Sequence, residues 1–199
     1  MSLRSDDGSA GDADYGQVGG SYSQYRRPDP RLAARIEEAL GDAGTIVNVG
    51  AGAGSYEPLD RDVTPVEPSA SMRVQRPPYL APAVDATAEN LPFADGSFDA
   101  AMTTFSVHQW SDLRAGLCEM RRVTRGPIVI LTCDPDLLRR FWLNLWGSIT
   151  SAWRICQVRH DHSGAVLCCV RGLSGAARFG GGPCSWRVGE GCRTAGAAA

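Results

Sequence analysis

Three glycines at alternate positions are the first residues whose spacing indicates a binding site. Gly50, Gly52 and Gly54 directly follow residues 45–49, a short apolar segment that is rich in β-branched residues. The segment predicts a buried parallel strand, and the glycines predict a tight turn whose backbone can approach a bulky group. A strand that runs into such a turn holds nucleotide-type ligands at the carboxyl edge of an α/β sheet. A glycine-rich turn without a ligand is the alternative at this point.

The next predicted strand ends in an acidic residue. Residues 62–67 are compatible with a short strand, and Glu67 is the last of them. A carboxylate at this edge suits a ribose diol because it accepts both hydroxyl protons, whereas a solvated strand end is the alternative role. The dinucleotide fingerprint needs its third glycine at position 55, where this chain has Ser55. This departure disfavours a nicotinamide or flavin ligand.

Helices and strands alternate along the chain around these residues. Asp29 and Pro30 form a typical helix start, in which an N-cap residue is followed by proline at the first helical position. Such alternation predicts an α/β fold with a Rossmann-like, doubly wound, mostly parallel sheet. The predicted elements are helices over 30–40, 69–76, 112–124 and 137–145, and strands over 45–49, 62–67, 81–85, 98–104 and 127–132.

Composition excludes several functional classes. The chain has 199 residues, of which 43% are hydrophobic and 21% charged, as in an ordinary globular domain. No apolar run approaches the roughly 20 residues that span a membrane, and the first residues lack the apolar segment of a secretory signal, so we expect a cytoplasmic location. A formal net charge of −2 gives no bias towards nucleic acid. Since every basic residue is arginine, the lysine of the phosphate-binding loop is also missing.

Histidine and cysteine positions predict no metal site. The chain has seven cysteines, an odd number, and in a cytoplasmic protein we expect free thiols rather than disulfides. The metal-ligating residue types near the C-terminus match no standard zinc spacing. These residues are His160, His162, Cys168 and Cys169.

Four sequence motifs occur in an order that is typical of one enzyme family. Residues 47–54, Val-Asn-Val-Gly-Ala-Gly-Ala-Gly, are followed by the acidic Val-Glu-Pro-Ser of residues 66–69. Residues 88–99 contain Leu-Pro-Phe and Ser-Phe-Asp, and residues 119–127 end in Gly-Pro before a β-branched run. This set resembles the class I S-adenosylmethionine-dependent methyltransferases, most closely their small-molecule, type 11 branch. The resemblance covers residues 22–145.

The resemblance implies S-adenosylmethionine as cofactor and a small-molecule methyl acceptor as the partner, with no nucleic acid and no membrane. The glycine backbone would pass the methionine part of the cofactor, and Glu67 would bind the ribose hydroxyls. Thr87 and Ala88 would lie beside the adenine, and Thr104 and Phe105 would line the reaction face. The implied cofactor-binding residues are Asn48, Gly50, Ala51, Gly52, Gly54, Glu67, Pro68, Thr87, Ala88, Thr104 and Phe105.

Two positions depart from the family pattern. Asn48 stands where the family usually has an acid that helps to hold the amino group of the cofactor. Asparagine can accept a hydrogen bond there but brings no charge. Thr87 likewise replaces a carboxylate with a hydroxyl. His108 is the candidate general base, and a helix-start residue without a catalytic role is its alternative.

Three segments follow from these patterns. We predict a disordered segment over 1–21, a methyltransferase cofactor-binding domain over 22–146, and an atypical tail over 147–199 that is poorly ordered or translated out of frame. The family's sheet continues after its fifth strand, and we expect those final strands to be missing here.

The alternative functions are a non-catalytic methyltransferase-like remnant and a nicotinamide-dependent oxidoreductase. Neither the acceptor nor the oligomeric state is predicted.

Overall fold

The computed structural model describes residues 28–133 and four later strands over 153–160, 165–168, 175–180 and 185–190. The centre of the described fold is a parallel sheet in the strand order β2-β1-β3-β4. Each of these strands was expected from a short β-branched or apolar run, and all four are confirmed. Their bounds are Thr45–Val49 for β1, Asp62–Val66 for β2, Ala100–Thr104 for β3 and Ile128–Cys133 for β4.

Four further strands extend the same sheet beyond β4. They pair antiparallel, each with the preceding one, and complete the eight-strand order β2-β1-β3-β4-β5-β6-β7-β8. Sequence patterning predicts none of them, because this region is rich in glycine and arginine. The segment boundaries and the absence of the family's final strands stay predictions. The bounds are Trp153–His160 for β5, Ala165–Cys168 for β6, Gly175–Gly180 for β7 and Ser185–Glu190 for β8.

Local capping determines where the helices begin and end. Helix α1 covers Pro30–Leu40, and the Asp29 side chain accepts a hydrogen bond from the Arg31 N–H at 2.9 Å. Gly41 ends this helix with a φ of 59°, which glycine adopts without a steric penalty. Both ends agree with the prediction. No helix within residues 28–133 is long and apolar enough to cross a membrane.

Helix α2 is shorter than predicted. It covers only Ala70–Arg73, with Ser69 as the N-cap, as expected. The chain then tightens into i→i+3 hydrogen bonds up to Arg76. Helical conformation is disfavoured for a residue that precedes a proline, and Pro77 follows directly.

Helix α3 covers Leu113–Val123 and confirms the helix predicted over 112–124. The Asp112 side chain caps it by accepting a hydrogen bond from the Ala115 N–H at 2.9 Å. Cys118 on this helix is disulfide-bonded, so the expectation of free thiols is wrong for this cysteine.

The strand predicted over residues 81–85 is wrong. Only Val84 bridges to the sheet there: its N–H donates to the Pro65 carbonyl at 2.8 Å, and its own carbonyl accepts from the Glu67 N–H at 2.9 Å. Pro82 has no N–H to donate to a ladder. The result is a single parallel bridge that fixes the chain on the outer side of β2.

Two apolar clusters fill the two faces of the parallel sheet. Val47 and Val49 pack with Met120 of α3 on one face, whereas Ile46 packs with Ile36 of α1 on the other. This division follows from the alternation of side chains along a strand. The same alternation places Asn48, which is fully buried, on the α1 face. A polar side chain therefore interrupts an apolar strand where the strand meets the glycine turn.

Candidate functional site

The glycine turn after β1 adopts the conformation for which glycine is needed. Gly50, Gly52 and Gly54 have φ values of 71°, 54° and 91°. An L side chain rarely adopts this left-handed region. The N–H groups of Gly50 and Ala51 both donate to the Val66 carbonyl at 2.9 Å. The turn, which we call the glycine loop (residues 50–54), is thus joined to the end of β2.

Glu67 extends that connection with its side chain. Its Oε2 accepts a hydrogen bond from the Gly52 N–H at 2.8 Å, and its Oε1 accepts one from the Ser69 N–H at 2.9 Å. The residue is only 7% exposed. Burial raises the pKa of Glu67, although the hydrogen bonds from Ser69 and Gly52 oppose the shift. An ionised carboxylate has about four acceptor positions, so the group can accept further hydrogen bonds from a diol.

Side chains pack closely around the glycine loop. A Cβ at Gly50 would collide with Oγ of Ser106, from the segment after β3, and a Cβ at Gly54 would collide with Leu80. A Cβ at Gly52 would lie 3.2 Å from Cε of Met72 on α2. The neighbouring side chains thus leave no room for a side chain at Gly50 or Gly54 unless they move.

A buried ion pair lies beside the loop, and sequence patterning did not identify it. The side chains of Arg76 and Glu57 are 4% and 1% exposed, and their closest N···O distance is 2.7 Å. Nδ2 of Asn48 donates to Oε1 of Glu57 at 2.9 Å. Within the described residues, Oδ1 of the same amide has no hydrogen-bond partner. The one signal in the sequence was Asn48, a polar residue within an apolar strand, because a buried amide needs hydrogen-bond partners.

Two strained aromatic residues meet next to the site. Tyr56 and Phe105 have φ values of 68° and 54°, which are uncommon for side chains of this size. Their rings contact edge to face with centroids 6.1 Å apart. The Tyr56 hydroxyl also accepts a hydrogen bond from the Asp29 N–H at 3.0 Å. Residues held in such conformations concentrate at functional sites, and Phe105 is one of the predicted cofactor-binding residues.

Trp110 connects the segment after β3 to helix α3. Its Nε1 donates to Oγ of Ser106 at 2.9 Å. A Cβ at Gly116 would meet the indole ring and would lie 3.1 Å from Cβ of Ala88. Ala88 is therefore packed in the core beside α3.

The other predicted site residues lie at the ends of the same elements. Thr104 ends β3 and is half-buried, Thr87 is half-buried, and Pro68 directly follows Glu67. The Pro68 carbonyl accepts a hydrogen bond from Arg73 at 2.9 Å. His108 is exposed on a single 3-10 turn over Val107–Gln109. Direct contact thus joins the glycine loop to Glu67, and the structure describes no such contact for His108.

Comparison with known proteins shows which proteins this arrangement resembles. Residues 47–127 match the family described as the methyltransferase domain, and this segment contains the glycine loop, Glu67 and Trp110. This part of the chain is similar to the class I S-adenosylmethionine-dependent methyltransferases. The motif order that suggested the resemblance is thereby confirmed.

Individual methyltransferases match over part of the chain. The demethylmenaquinone methyltransferase of Corynebacterium urealyticum is 33% identical over 107 residues, which are 53% of this chain and 46% of that protein. The protein of the same name from Beutenbergia cavernae is 50% identical over 58 residues, which are 28% of this chain and 23% of that one. The chain thus spans less than half the length of these relatives.

Solved methyltransferase structures have the same fold. A protein assigned as a methyltransferase of an antibiotic biosynthesis pathway in Anabaena variabilis superimposes with a TM-score of 0.53 at 33% identity, over 61% of this chain and 54% of that one. A protein assigned as a methyltransferase from Thermotoga maritima superimposes with a TM-score of 0.50 at 24% identity, over 65% of this chain and 66% of that one. The α/β, Rossmann-like fold expected from the sequence is confirmed.

Proposed function

We propose that this protein transfers the methyl group of S-adenosylmethionine to a small-molecule acceptor. The observation that carries the proposal is the buried carboxylate of Glu67, which binds the Gly52 N–H at the carboxyl edge of β1 and β2. In open α/β sheets, ligands bind outside the carboxyl ends of the strands. The family assignment of residues 47–127 supports the same cofactor.

The residues of the site fit the chemical groups of S-adenosylmethionine. The Glu67 carboxylate has free acceptor positions, which suit the two hydroxyl groups of a ribose. The Asn48 amide offers Oδ1, a buried acceptor for which the described residues supply no donor. An unpaired acceptor is costly, and the ammonium group of the methionine part is a suitable donor. We therefore assign Glu67 to the ribose and Asn48 to the amino-acid end of the cofactor.

The chain would contribute alignment rather than strong acid or base chemistry. S-adenosylmethionine supplies an electrophilic methyl group on a sulfonium sulfur. The protein has to hold the acceptor nucleophile in line with that methyl group, and orientation of this kind accounts for much of the barrier lowering in such reactions. Thr104 and Phe105, at the end of β3, are the proposed lining of the reaction face, and Thr87 and Ala88 the proposed adenine side.

The acceptor is proposed to be a small molecule. The curated relatives include demethylmenaquinone methyltransferases, so demethylmenaquinone is the first acceptor to test. Acceptor contacts in α/β enzymes come largely from variable loops. The acceptor screen should therefore also include small phenols, amines and carboxylates.

Titration calorimetry with S-adenosylmethionine tests the cofactor assignment. We expect the wild-type protein to bind, and we expect the Glu67→Ala variant to bind at least about tenfold more weakly, because it loses hydrogen bonds to a charged group. Glu38→Ala is the matched control, because Glu38 is exposed on α1 and pairs only with Arg35 among the described residues. Equal affinity of wild type and Glu67→Ala would contradict the role of Glu67.

Two further measurements separate the alternatives. Binding of a nicotinamide dinucleotide in preference to S-adenosylmethionine would favour an oxidoreductase. Binding of S-adenosylmethionine without transfer of an isotopically labelled methyl group to any acceptor in the screen would favour a non-catalytic binding module. Transfer of the label, with loss of transfer in Glu67→Ala, supports the proposal.

A further inference from the structure

We propose that Glu57 and Arg76 are positioning residues that hold the glycine loop in its cofactor-binding shape, an inference that rests on the proposed function. Arg76 donates from Nη2 to Oε2 of Glu57 at 2.7 Å and from Nη1 to Oε1 at 3.1 Å. This bidentate geometry is the strong form of an arginine–carboxylate pair. The pair lies next to the predicted cofactor site, and no cofactor contact predicted from the sequence includes it.

Stability alone does not explain a pair that is buried so completely. The two side chains are 4% and 1% exposed, and removing two charges from water often costs as much as their attraction returns. Apolar residues of similar volume are frequently at least as stable at such positions. A specific structural role for the two charges is therefore the better explanation.

That role is visible in the contacts that Arg76 makes beyond Glu57. Its Nη1 donates to the Gly52 carbonyl at 3.3 Å, and its Nε donates to the Ala81 carbonyl at 3.0 Å. The N–H of the same Gly52 is bound by Glu67 at 2.8 Å. Gly52, at a φ of 54°, is thus held on its N–H and on its carbonyl by two different side chains.

Glu57 connects this clamp to the strand that carries the loop. Its Oε1 accepts a hydrogen bond from Nδ2 of Asn48, the buried polar residue of β1. The chain of contacts runs from Asn48, before the loop, through Glu57 and Arg76 to Gly52, so the central residue of the loop is linked to the strand that precedes it. A loop that is ordered before the ligand arrives loses less conformational entropy on binding, and the pair would therefore raise cofactor affinity.

Two variants separate this positioning role from a purely structural one. Arg76→Lys keeps a positive charge beside Glu57, but an ammonium group lacks the planar fork that reaches Glu57, Gly52 and Ala81 together. The double variant Glu57→Gln/Arg76→Met removes both charges and leaves no isolated buried ion, so it should still fold. Each protein is measured for its melting temperature and, well below that temperature, for its affinity for S-adenosylmethionine by calorimetry.

Arg61 supplies a matched control at the opposite end of the sheet. Its guanidinium also hydrogen-bonds to one carboxylate, that of Glu37 at 2.8 Å, and to two carbonyls, those of Gly41 at 2.8 Å and Ala43 at 3.3 Å. A second carboxylate, that of Asp60, lies 4.0 Å from its Nε. The three hydrogen-bonded groups precede β1 and Asp60 precedes β2, so all of them lie away from the glycine loop. Arg61→Lys should therefore reduce the melting temperature without changing cofactor affinity.

The outcomes distinguish the pair's role from the proposed function. We expect both pair variants to bind S-adenosylmethionine about tenfold more weakly than the wild type, the size expected for lost charge-assisted hydrogen bonds. Affinity within about twofold of the wild type, whatever the melting temperature, would overturn the positioning role and leave the proposed function intact. Absence of binding by the folded wild type would overturn the proposed function, and the positioning role with it.

Discussion

The N–H of Gly52 donates to Oε2 of Glu67 at 2.8 Å, so the carboxyl ends of the two neighbouring strands β1 and β2 share a hydrogen bond. The bond involves a charged acceptor and is therefore stronger than an amide–carbonyl bond. Because the acceptor is a titratable group, the contact and any ligand bound to the same carboxylate depend on pH.

Cofactor affinity should fall on acidification because of Glu67. Burial raises the pKa of this carboxyl above its ordinary value of 4.5. The ionised carboxylate accepts hydrogen bonds from ribose hydroxyls more strongly than the protonated group does, so affinity decreases as the pH falls through the raised pKa. Calorimetric titrations from about pH 8 to about pH 4, a range that extends below the ordinary value of the Glu67 pKa, check this. Glu67→Gln should bind weakly with little dependence on pH, and a wild-type affinity that stays constant over this range would contradict the assignment.

The Asn48→Asp variant should be less stable than the wild type. It replaces the Nδ2 donor, 2.9 Å from Oε1 of Glu57, with a second carboxylate oxygen. Two buried carboxylates in contact repel each other, and we expect a loss of about 2 kcal/mol in the free energy of unfolding. Urea denaturation measures this loss.

A compensating change makes the Asn48 prediction specific. In Asn48→Asp/Glu57→Gln, an amide again faces a carboxylate, and the net charge beside Arg76 is unchanged. The double variant should be more stable than Asn48→Asp. Equal instability of the two variants would show that repulsion from Glu57 is not the cause.

Gly50→Ala should destabilise the protein more than Gly41→Ala. Both glycines have a left-handed φ, 71° and 59° respectively, and alanine pays about 1–2 kcal/mol for that conformation. A Cβ at Gly41 meets no atom within 4 Å, whereas a Cβ at Gly50 collides with Ser106. The difference between the two variants in free energy of unfolding therefore isolates the collision. Equal losses would mean that the segment around Ser106 moves aside without cost.

The contribution of Asp99 to stability should disappear in acid. Arg125 and the N–H and hydroxyl of Thr45 donate to this carboxylate and hold its pKa well below the ordinary 3.8. A lowered pKa in the folded state means that stability is present above pH 3.8 and is lost as the pH falls below it. Urea midpoints of wild type and Asp99→Asn should differ at neutral pH, and the difference should shrink progressively as the pH falls from about 4 towards the lowered pKa of the folded state. A constant difference would contradict the prediction.

Features that depend on neighbouring residues could be predicted from the sequence. The ends of α1 follow from Asp29 and Gly41, whose capping needs only the first and last turns of the helix. The glycine loop follows from alternate glycines after an apolar run. In both cases the signal and the structure lie within a few residues, so the tertiary fold has little opportunity to override them.

Features that depend on tertiary contacts could not be predicted in this way. Glu57 and Arg76 are 19 positions apart, and charged residues outside helices and strands are usually exposed. Only the folded chain places them together beneath the glycine loop. The strand expected over 81–85 failed for a related reason: its apolar residues suit a strand, but Pro82 cannot donate to a ladder, and only Val84 pairs with β2.

The contact between Trp110 and Ser106 gives this protein an internal optical probe. Indole emission depends on the hydrogen bonding and polarity around the ring. The Ser106 oxygen, which accepts a hydrogen bond from Trp110, lies next to Gly50, in the space that a side chain at that position would need. A ligand that displaces the glycine loop would therefore change the fluorescence of Trp110. The chain has five tryptophans, so replacing the other four with phenylalanine would turn this one ring into a direct reporter of loop occupancy.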